Sequence, residues 1–217
     1  MSDPVELRLV TSSSFPSGTG SFSYKGDYQI VVQNIAFQKV VVIDGTTGSG
    51  APFADRAATF QESLPEGREL WRLTTGDQVL EFVVRYEVAG MTFWDNNGGA
   101  NFTQPPVFDE FDALIGRVPQ VVLGTSGFSD ATHVSVLAAV KNLAFVKQVG
   151  IVFTTDGWGA SGAAIGQFDR MLKSGNEVWK IDVPIGSAKQ VDFAIFYRVN
   201  GQEFWDNNFW RNYSLVR

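Results

Sequence analysis

The chain has 217 residues, which is enough for one large domain or for two domains of about 100 residues each. Apolar residues make up 44% of it, with 18 Phe and 6 Trp, and this content excludes a disordered chain because it supplies a hydrophobic core. The net charge of −6 argues against a nucleic-acid partner. The chain has no Cys and a single His, which excludes disulfides and metal clusters built from thiolates or histidines. We therefore expect no metal and no cofactor.

The N-terminal residues, MSDPVELRLV, carry acidic side chains where a secretory signal peptide has a basic and then an apolar segment. No stretch approaches the roughly 18 consecutive apolar residues that a membrane-spanning helix needs. We therefore expect a cytoplasmic protein with no membrane partner.

A motif at residues 32–39 begins an internal repeat. Its sequence, VQNIAFQK, recurs 108 positions later as VKNLAFVK at residues 140–147. Further pairs follow: 69–73 (ELWRL) with 177–181 (EVWKI), and, after a slip of three residues, 93–97 with 204–208 (both FWDNN). Self-similarity over this length indicates a duplicated domain.

The repeat predicts a first domain at residues 1–106 and a second at residues 107–217. The boundary coincides with Gln104, Pro105 and Pro106, a stiff and extended segment. The aromatic and acidic segment at 108–116 is compatible with a short helix between the copies.

Each copy has the periodicity of β-strands. Residues 79–88 and 191–199 alternate β-branched or aromatic residues with polar ones. Ala89-Gly90 and Asn200-Gly201 then supply tight hairpin turns. Because no stretch sustains a helical pattern over three turns, the sequence predicts an all-β fold of two tandem antiparallel immunoglobulin-like β-sandwich domains.

The repeated FWDNN segment has the chemistry of a sugar site. A sugar ring has an apolar face and a rim of hydroxyls, so a binder needs an exposed aromatic ring beside hydrogen-bonding groups. Trp205 with the following Asp and Asn residues offers both, although Asp and Asn are also ordinary turn formers. Trp158, between Gly157 and Gly159, is expected to be an exposed platform in a loop.

These motifs resemble carbohydrate-binding module family 21, which contains the starch-binding domains of fungal glucoamylases and the glycogen-targeting subunits of protein phosphatase 1. The resemblance implies non-catalytic binding of α-glucan polysaccharide or malto-oligosaccharide. It also implies a first site at Trp158, Trp205, Asp206, Asn207, Asn208, Asn212 and Tyr213, and, in the first copy, at Trp94, Asn96, Asn97 and Asn101.

A second family site uses the Asn, aromatic and Lys of the N-x-x-[FY]-x-K segment with another aromatic from the middle of the domain. By resemblance it falls at Asn34, Phe37, Lys39 and Phe60 in the first copy, and at Asn142, Phe145, Lys147 and Phe168 in the second. These Phe residues fit a sugar platform or a place in the core equally well. We expect Trp71 and Trp179 in the core because they lie within alternating strands.

The two copies are not equivalent as binding sites. The position matching Trp158 in the first copy is Gly50, so its platform is reduced to Trp94 and we expect the main site in the second copy. A glycosidase arrangement of Asp206 with Glu203 is disfavoured on a duplicated hairpin, so we expect no catalytic residues. The alternative is a glycogen-targeting or scaffold subunit that brings a separate enzyme to the polymer, although the sequence has no phosphatase-docking segment of the R-V-x-F type.

Overall fold

The computed structural model describes residues 3–17, 21–48, 51–103, 110–115 and 119–217. The described chain divides into two compact units, one for each copy of the repeat. The expected boundary between residues 106 and 107 lies outside the described residues. Among the described helices, none has the length and apolar character needed to cross a membrane.

The first unit is a pair of antiparallel sheets. One sheet has the order β1-β2-β6-β5 and the other has the order β4-β3-β7-β8, with β9 paired to β7. The strands are β1 (Val5–Ser17), β2 (Ser21–Gln33), β3 (Lys39–Thr46), β4 (Ala54–Ala57), β5 (Thr59–Leu64), β6 (Arg68–Thr75), β7 (Glu81–Val88), β8 (Met91–Asp95) and β9 (Phe102–Thr103).

The second unit repeats this topology after a short helix. Its sheets have the orders β10-β11-β15-β14 and β13-β12-β16-β17, with β18 paired to β16. The elements are α1 (Glu110–Ile115), β10 (Val121–Phe128), β11 (His133–Val140), β12 (Lys147–Thr154), β13 (Gly162–Ile165), β14 (Gln167–Met171), β15 (Glu177–Pro184), β16 (Gln190–Val199), β17 (Gln202–Asp206) and β18 (Tyr213–Val216). The prediction of two all-β sandwiches is confirmed.

Strand alternation separates the core of each unit from its outer faces. In β16 the core takes alternate residues, among them Phe193, Ile195 and Tyr197, because successive side chains point to opposite faces of a sheet. Phe196 therefore lies on the outer face. The predicted hairpins are also confirmed: Asn200 and Gly201 connect β16 to β17 with φ of 52° and 74°, as a tight turn of this kind requires.

Helix α1 is part of the second unit. Phe111 and Ile115 are buried in a small cluster with Val122, Ala139 and Val178 of that unit. The ring of Phe111 occupies the space over Gly124, where a Cβ atom would lie 2.0 Å from the ring carbon Cε1. The helix thus covers one outer face of the second sandwich.

A buried tyrosine connects the core of each unit to the loop before its second predicted site. The Tyr86 hydroxyl donates to the carbonyl oxygen of Gln33 at 2.6 Å, and the Tyr197 hydroxyl donates to that of Lys141 at 2.7 Å. These bonds hold the chain just ahead of Asn34 and Asn142.

Candidate functional site

Trp205 stands on the outer face of the second unit's larger sheet. It pairs with Phe196 across the β16–β17 ladder, and Phe196 pairs with Gly150 of β12. The two rings have centroids 5.8 Å apart, and Phe196 is 1% exposed while Trp205 is 40% exposed. A side chain at position 150 would place its Cβ 2.6 Å from Phe196 Cζ, so Gly150 makes room for the supporting ring. The result is an aromatic platform with an apolar base.

The Trp205 indole is held by a chain of hydrogen bonds. Its Nε1 donates to Glu203 Oε1 at 2.8 Å, and Glu203 also pairs with Arg198. Arg198 Nη1 in turn donates to Gln148 Oε1 at 3.1 Å. The hydrogen bond from Arg198, followed by that from Trp205, lowers the pKa of Glu203, which keeps this carboxylate charged.

Trp158 lies in the loop that follows β12 and is 42% exposed. The backbone is left-handed at Gly157 and Trp158, with φ of 71° and 74°. Thr154 and Asp156 hold this loop: the Trp158 N–H donates to Thr154 Oγ1 at 3.0 Å, Thr154 Oγ1 donates to Asp156 Oδ1 at 2.7 Å, and the Ala160 N–H donates to the same Oδ1 at 3.0 Å. The hydrogen bond from Ala160 is the largest contribution lowering the pKa of Asp156.

The register of the sheet relates the start of the Trp158 loop to the level of Trp205. Gly150 is level with Trp205, and Thr154, four residues further along β12, begins the Trp158 loop. At about 3.3 Å per residue these two levels are roughly 13 Å apart. The intervening face carries Val152 paired with Ala194, two small apolar side chains that leave a shallow floor.

The Asp and Asn residues after Trp205 build the turn that follows β17. Asp206 Oδ2 accepts from the Leu123 N–H at 2.6 Å and from the Tyr213 hydroxyl at 2.8 Å. Asn208 Nδ2 donates to the carbonyl oxygen of Asn212 at 3.0 Å, and Asn207 Oδ1 accepts from the Trp210 N–H at 3.0 Å. These side chains make the internal bonds of a turn. The Tyr213 ring stacks on Phe193, with centroids 5.4 Å apart.

The first unit builds the same turn. Asp95 Oδ2 accepts from the Leu7 N–H at 2.7 Å, and Asn97 Nδ2 donates to the Asn101 carbonyl oxygen at 3.0 Å. Asn96 Oδ1 accepts from the Gly99 N–H, also at 3.0 Å. Burial raises the pKa of Asp95, and the hydrogen bond from Leu7 opposes this shift.

The platform of the first unit has a charged base. Trp94 is 50% exposed, and Arg85 takes the position that Phe196 has in the second unit, with its Cζ 5.7 Å from the Trp94 ring centroid. Arg85 forms ion pairs with Asp55 and with Glu87, and Asp44 lies 3.9 Å away. Position 50, which matches Trp158, lies outside the described residues.

The second predicted site is formed in the same way in both units. Lys39 Nζ donates to Asn34 Oδ1 at 2.6 Å and to Glu69 Oε1 at 2.8 Å, and Trp71 Nε1 donates to Glu69 Oε2 at 2.9 Å. Phe60 meets the Trp71 ring edge-on, with centroids 6.0 Å apart. In the second unit the same distances join Lys147 to Asn142 and Glu177, and Trp179 to Glu177, with Phe168 at 6.4 Å from Trp179.

The Phe residues of this site are exposed. Phe37 and Phe145 are each 98% exposed, and Phe60 and Phe168 are about half exposed. The interpretation that they belong to the core is therefore wrong. Trp71 and Trp179 are partly buried and pack against the core clusters, as expected.

The sequence interpretation missed Glu69 and Glu177, which join the Lys to the Trp in each unit. Both carboxylates are buried against their Lys partners. The signal available was the repeated E-x-W spacing, because residues two apart in a strand share a face.

The fold and its exposed aromatic rings define a carbohydrate-binding β-sandwich class, and comparison with known proteins identifies the family. The model of the carbohydrate/starch-binding module (family 21) matches residues 23–104 and 117–216. The chain therefore belongs to this family and carries two tandem copies of the module.

Several curated relatives match parts of the chain. Protein phosphatase 1 regulatory subunit 3C of Bos taurus is 35% identical over 83 residues, covering 36% of this chain and 26% of the relative. Glucoamylase 1 of Rhizopus oryzae is 31% identical over 106 residues, covering 43% of this chain and 18% of the relative. The chain thus spans about a quarter or less of the length of these relatives.

Among solved structures, the starch-binding domain of Rhizopus oryzae glucoamylase, in complex with β-cyclodextrin and maltoheptaose, is similar to part of this chain. The two are 26% identical with a TM-score of 0.41, and the match covers 46% of this chain and 96% of that domain. The carbohydrate-binding module of the muscle glycogen-targeting subunit of protein phosphatase 1 covers 46% of this chain at 22% identity, with a TM-score of 0.38.

Proposed function

We propose that this protein binds α-glucans without cleaving them, and that its main site is on the second unit. The observation that carries the proposal is the pair of exposed Trp side chains, Trp158 and Trp205, in one module of the starch-binding family. The apolar faces of glucose units stack on such rings, while nearby polar groups bind the hydroxyls.

The supports of the two rings favour the second unit. Trp205 rests on Phe196 and is held through Glu203, and the Trp158 loop is held by Thr154 and Asp156. Rings held in place before binding lose little conformational entropy when the ligand arrives. In the first unit Trp94 stands over the charged Arg85 instead.

The paired sites around Lys39 and Lys147 are proposed as secondary sugar sites. Each presents an exposed Phe, Phe37 or Phe145, beside an Asn side chain fixed by its Lys. Phe lacks the hydroxyl of Tyr, so these sites depend on stacking and on the Asn amide.

The carboxylates beside Trp205 do not form an acid and base pair. Asp206 accepts bonds from Leu123 and Tyr213, and Glu203 is paired with Arg198 and Trp205. A glycosidase needs one carboxyl group with a raised pKa as its acid, whereas the pKa of Glu203 is lowered. Incubation with malto-oligosaccharides is expected to release no product; cleavage lost in Glu203→Gln would contradict this.

Affinity electrophoresis tests the ligand class directly. Gels containing glycogen or amylopectin should retard the protein, whereas gels containing cellulose or xylan should not. Affinity for single oligosaccharides is expected to be modest, because sugars stack over a small area and their hydroxyls lose water on binding. Retardation by cellulose or xylan alone would overturn the proposal.

A second candidate is a targeting role, in which glucan binding brings an enzyme on another chain to the polymer. The similarity to protein phosphatase 1 regulatory subunits favours it. Co-sedimentation of a purified phosphatase 1 catalytic subunit with glycogen, in the presence and absence of this protein, would test it; no added sedimentation of the enzyme would reject that partner.

A further inference from the structure

A groove lies at the hairpin end of the second unit's larger sheet, beyond Trp205. Its volume is about 440 Å³, and it is open to solvent along the surface. Its lining combines the apolar surface of Val146 and Val199 with polar side chains, among them Gln148, Arg198, Asn200, Gln202 and Glu203.

Three of these side chains form one row across the sheet. Gln148, Arg198 and Glu203 are in register on β12, β16 and β17, one row beyond Phe196 and Trp205 on the same face. Arg198 bonds to both of its neighbours, and its guanidinium lies over the Phe196 ring at 4.4 Å. The row is therefore ordered before any ligand binds.

The row still has hydrogen-bonding groups for sugar hydroxyls. Arg198 uses Nε and Nη1 in its bonds to Glu203 and Gln148, and a guanidinium has five N–H donors. Gln148 uses its oxygen in that contact, which leaves the two N–H groups of its amide. Planar amide and guanidinium groups match adjacent hydroxyls on a glucose ring, which both donate and accept.

We propose that this groove binds the glucose units of an α-glucan chain that continues past Trp205. The second unit then binds long chains more tightly than short ones. This inference rests on the proposed function, because the chain reaches the groove only from a glucose unit stacked on Trp205.

The first unit has a larger groove at the same place but different chemistry. Its volume is about 720 Å³, and Val40, Glu87 and Thr92 occupy the positions of Gln148, Arg198 and Glu203. Glu87 pairs with Arg85, toward the neighbouring row. The preference for long chains is therefore assigned to the second unit alone.

The test is a titration of the full chain with maltotriose and with maltoheptaose, followed by backbone amide shifts in NMR spectra. Maltoheptaose should shift the amides at Trp205 and at 200–202, whereas maltotriose should shift Trp205 and leave 200–202 in place. Gln202→Ala, which removes an amide from the groove lining, should weaken maltoheptaose binding at Trp205 by about three- to tenfold, the effect of losing a hydrogen bond, and leave maltotriose unchanged.

Gln202 takes no part in the hydrogen bonds that hold the Trp205 indole, so this variant separates the groove from the platform. The matched control is Met91→Ala in the first unit, which should change neither affinity at Trp205. Unshifted amides at 200–202 with maltoheptaose, or equal effects of Gln202→Ala on both sugars, would overturn the inference. If neither sugar shifts Trp205, the proposed function itself fails.

Discussion

Gly150 in the second unit and Val42 in the first occupy the same position, and the difference decides what supports each Trp. Without a side chain at position 150, the ring of Phe196 fits beside Trp205, tilted by 59° to the indole. In the first unit Arg85 replaces that Phe and forms ion pairs with the carboxylates around it. One platform thus has an apolar base, and the other has a charged one.

Because the supports differ, we expect glucan binding to depend more strongly on Trp158 and Trp205 than on Trp94. Trp158→Ala or Trp205→Ala should cost roughly 1–3 kcal/mol of binding to maltoheptaose, as truncation of an aromatic anchor does, with little loss of stability because both rings are partly exposed. Trp94→Ala should cost less. Isothermal titration of the three variants measures this, and an equal or larger loss in Trp94→Ala would place the main site in the first unit.

A different outcome is expected at Asp206. Its carboxylate binds the Leu123 N–H and the Tyr213 hydroxyl, so Asp206→Ala leaves two donors without their acceptor. We expect the free energy of unfolding to fall by about 2–4 kcal/mol. Urea denaturation measures it, with Asp182→Ala, an exposed acid on β15, as the control; unchanged stability in Asp206→Ala would mean that its bonds are replaced by water.

The role of Asp206 could not be predicted from local sequence. The FWDNN pattern marks a turn and a possible sugar site equally well. The acceptor and its donor at Leu123 are 83 residues apart, and the strand pairing that brings them together is a property of the whole sandwich. The exposure of Phe37 and Phe145 could not be predicted for a similar reason, because an apolar side chain in a short motif fits the core and an exposed platform equally well.

At the scale of elements, the loop between β12 and β13 carries Trp158 on a framework of hydrogen bonds to Asp156. Hydrogen bonds, the one from the Ala160 N–H first, lower the pKa of this carboxyl group below its ordinary value. A lowered pKa in the folded state means that the stabilisation is complete above the unfolded pKa and is lost only as the pH falls through the folded one. The loop should therefore hold its shape throughout the range from neutral pH to about pH 5.

Glucan binding through Trp158 is accordingly expected to be constant between about pH 5 and pH 8 and to weaken only below about pH 4. Titrations with maltoheptaose across this range measure it. Asp156→Ala should bind more weakly at every pH, because the loop loses its acceptor for Thr154 and Ala160. A binding midpoint between pH 5 and pH 8 would show that another group controls the site.

Elements with a strong local signal were predictable. The β7–β8 and β16–β17 hairpins follow from alternating strands joined by Ala-Gly and Asn-Gly; Gly and Asn accept positive φ readily, whereas Ala89 adopts it, at 50°, against the preference of its side chain. Helix α1 gave only a weak signal, because six residues are too few to show a helical period. Its position depends on the space at Gly124 and on Arg170, whose guanidinium lies 4.9 Å from the Phe111 ring.

At the scale of the whole molecule, the site around Lys39 and Lys147 is the same in both copies, whereas the site around Trp94 and Trp205 differs between them. The Lys, Glu, Asn and Trp network has the same three hydrogen-bond distances in both units. The outer face around Trp94 and Trp205 differs in nearly every supporting residue. We interpret the molecule as one strong site with several weaker ones on a single chain.

Several sites on one chain should strengthen binding to a polymer beyond binding to a short sugar, because the first contact raises the effective concentration of the others. In the full chain, Phe37→Ala with Trp94→Ala should leave maltoheptaose binding at Trp205 unchanged. The same double variant should lower the apparent affinity for glycogen by about tenfold or more. Affinity electrophoresis in glycogen, beside NMR titration with maltoheptaose, measures both, and Val40→Ala is the control in the same unit. A loss on glycogen of only about twofold, in proportion to the number of sites removed, would mean that the two units bind independently.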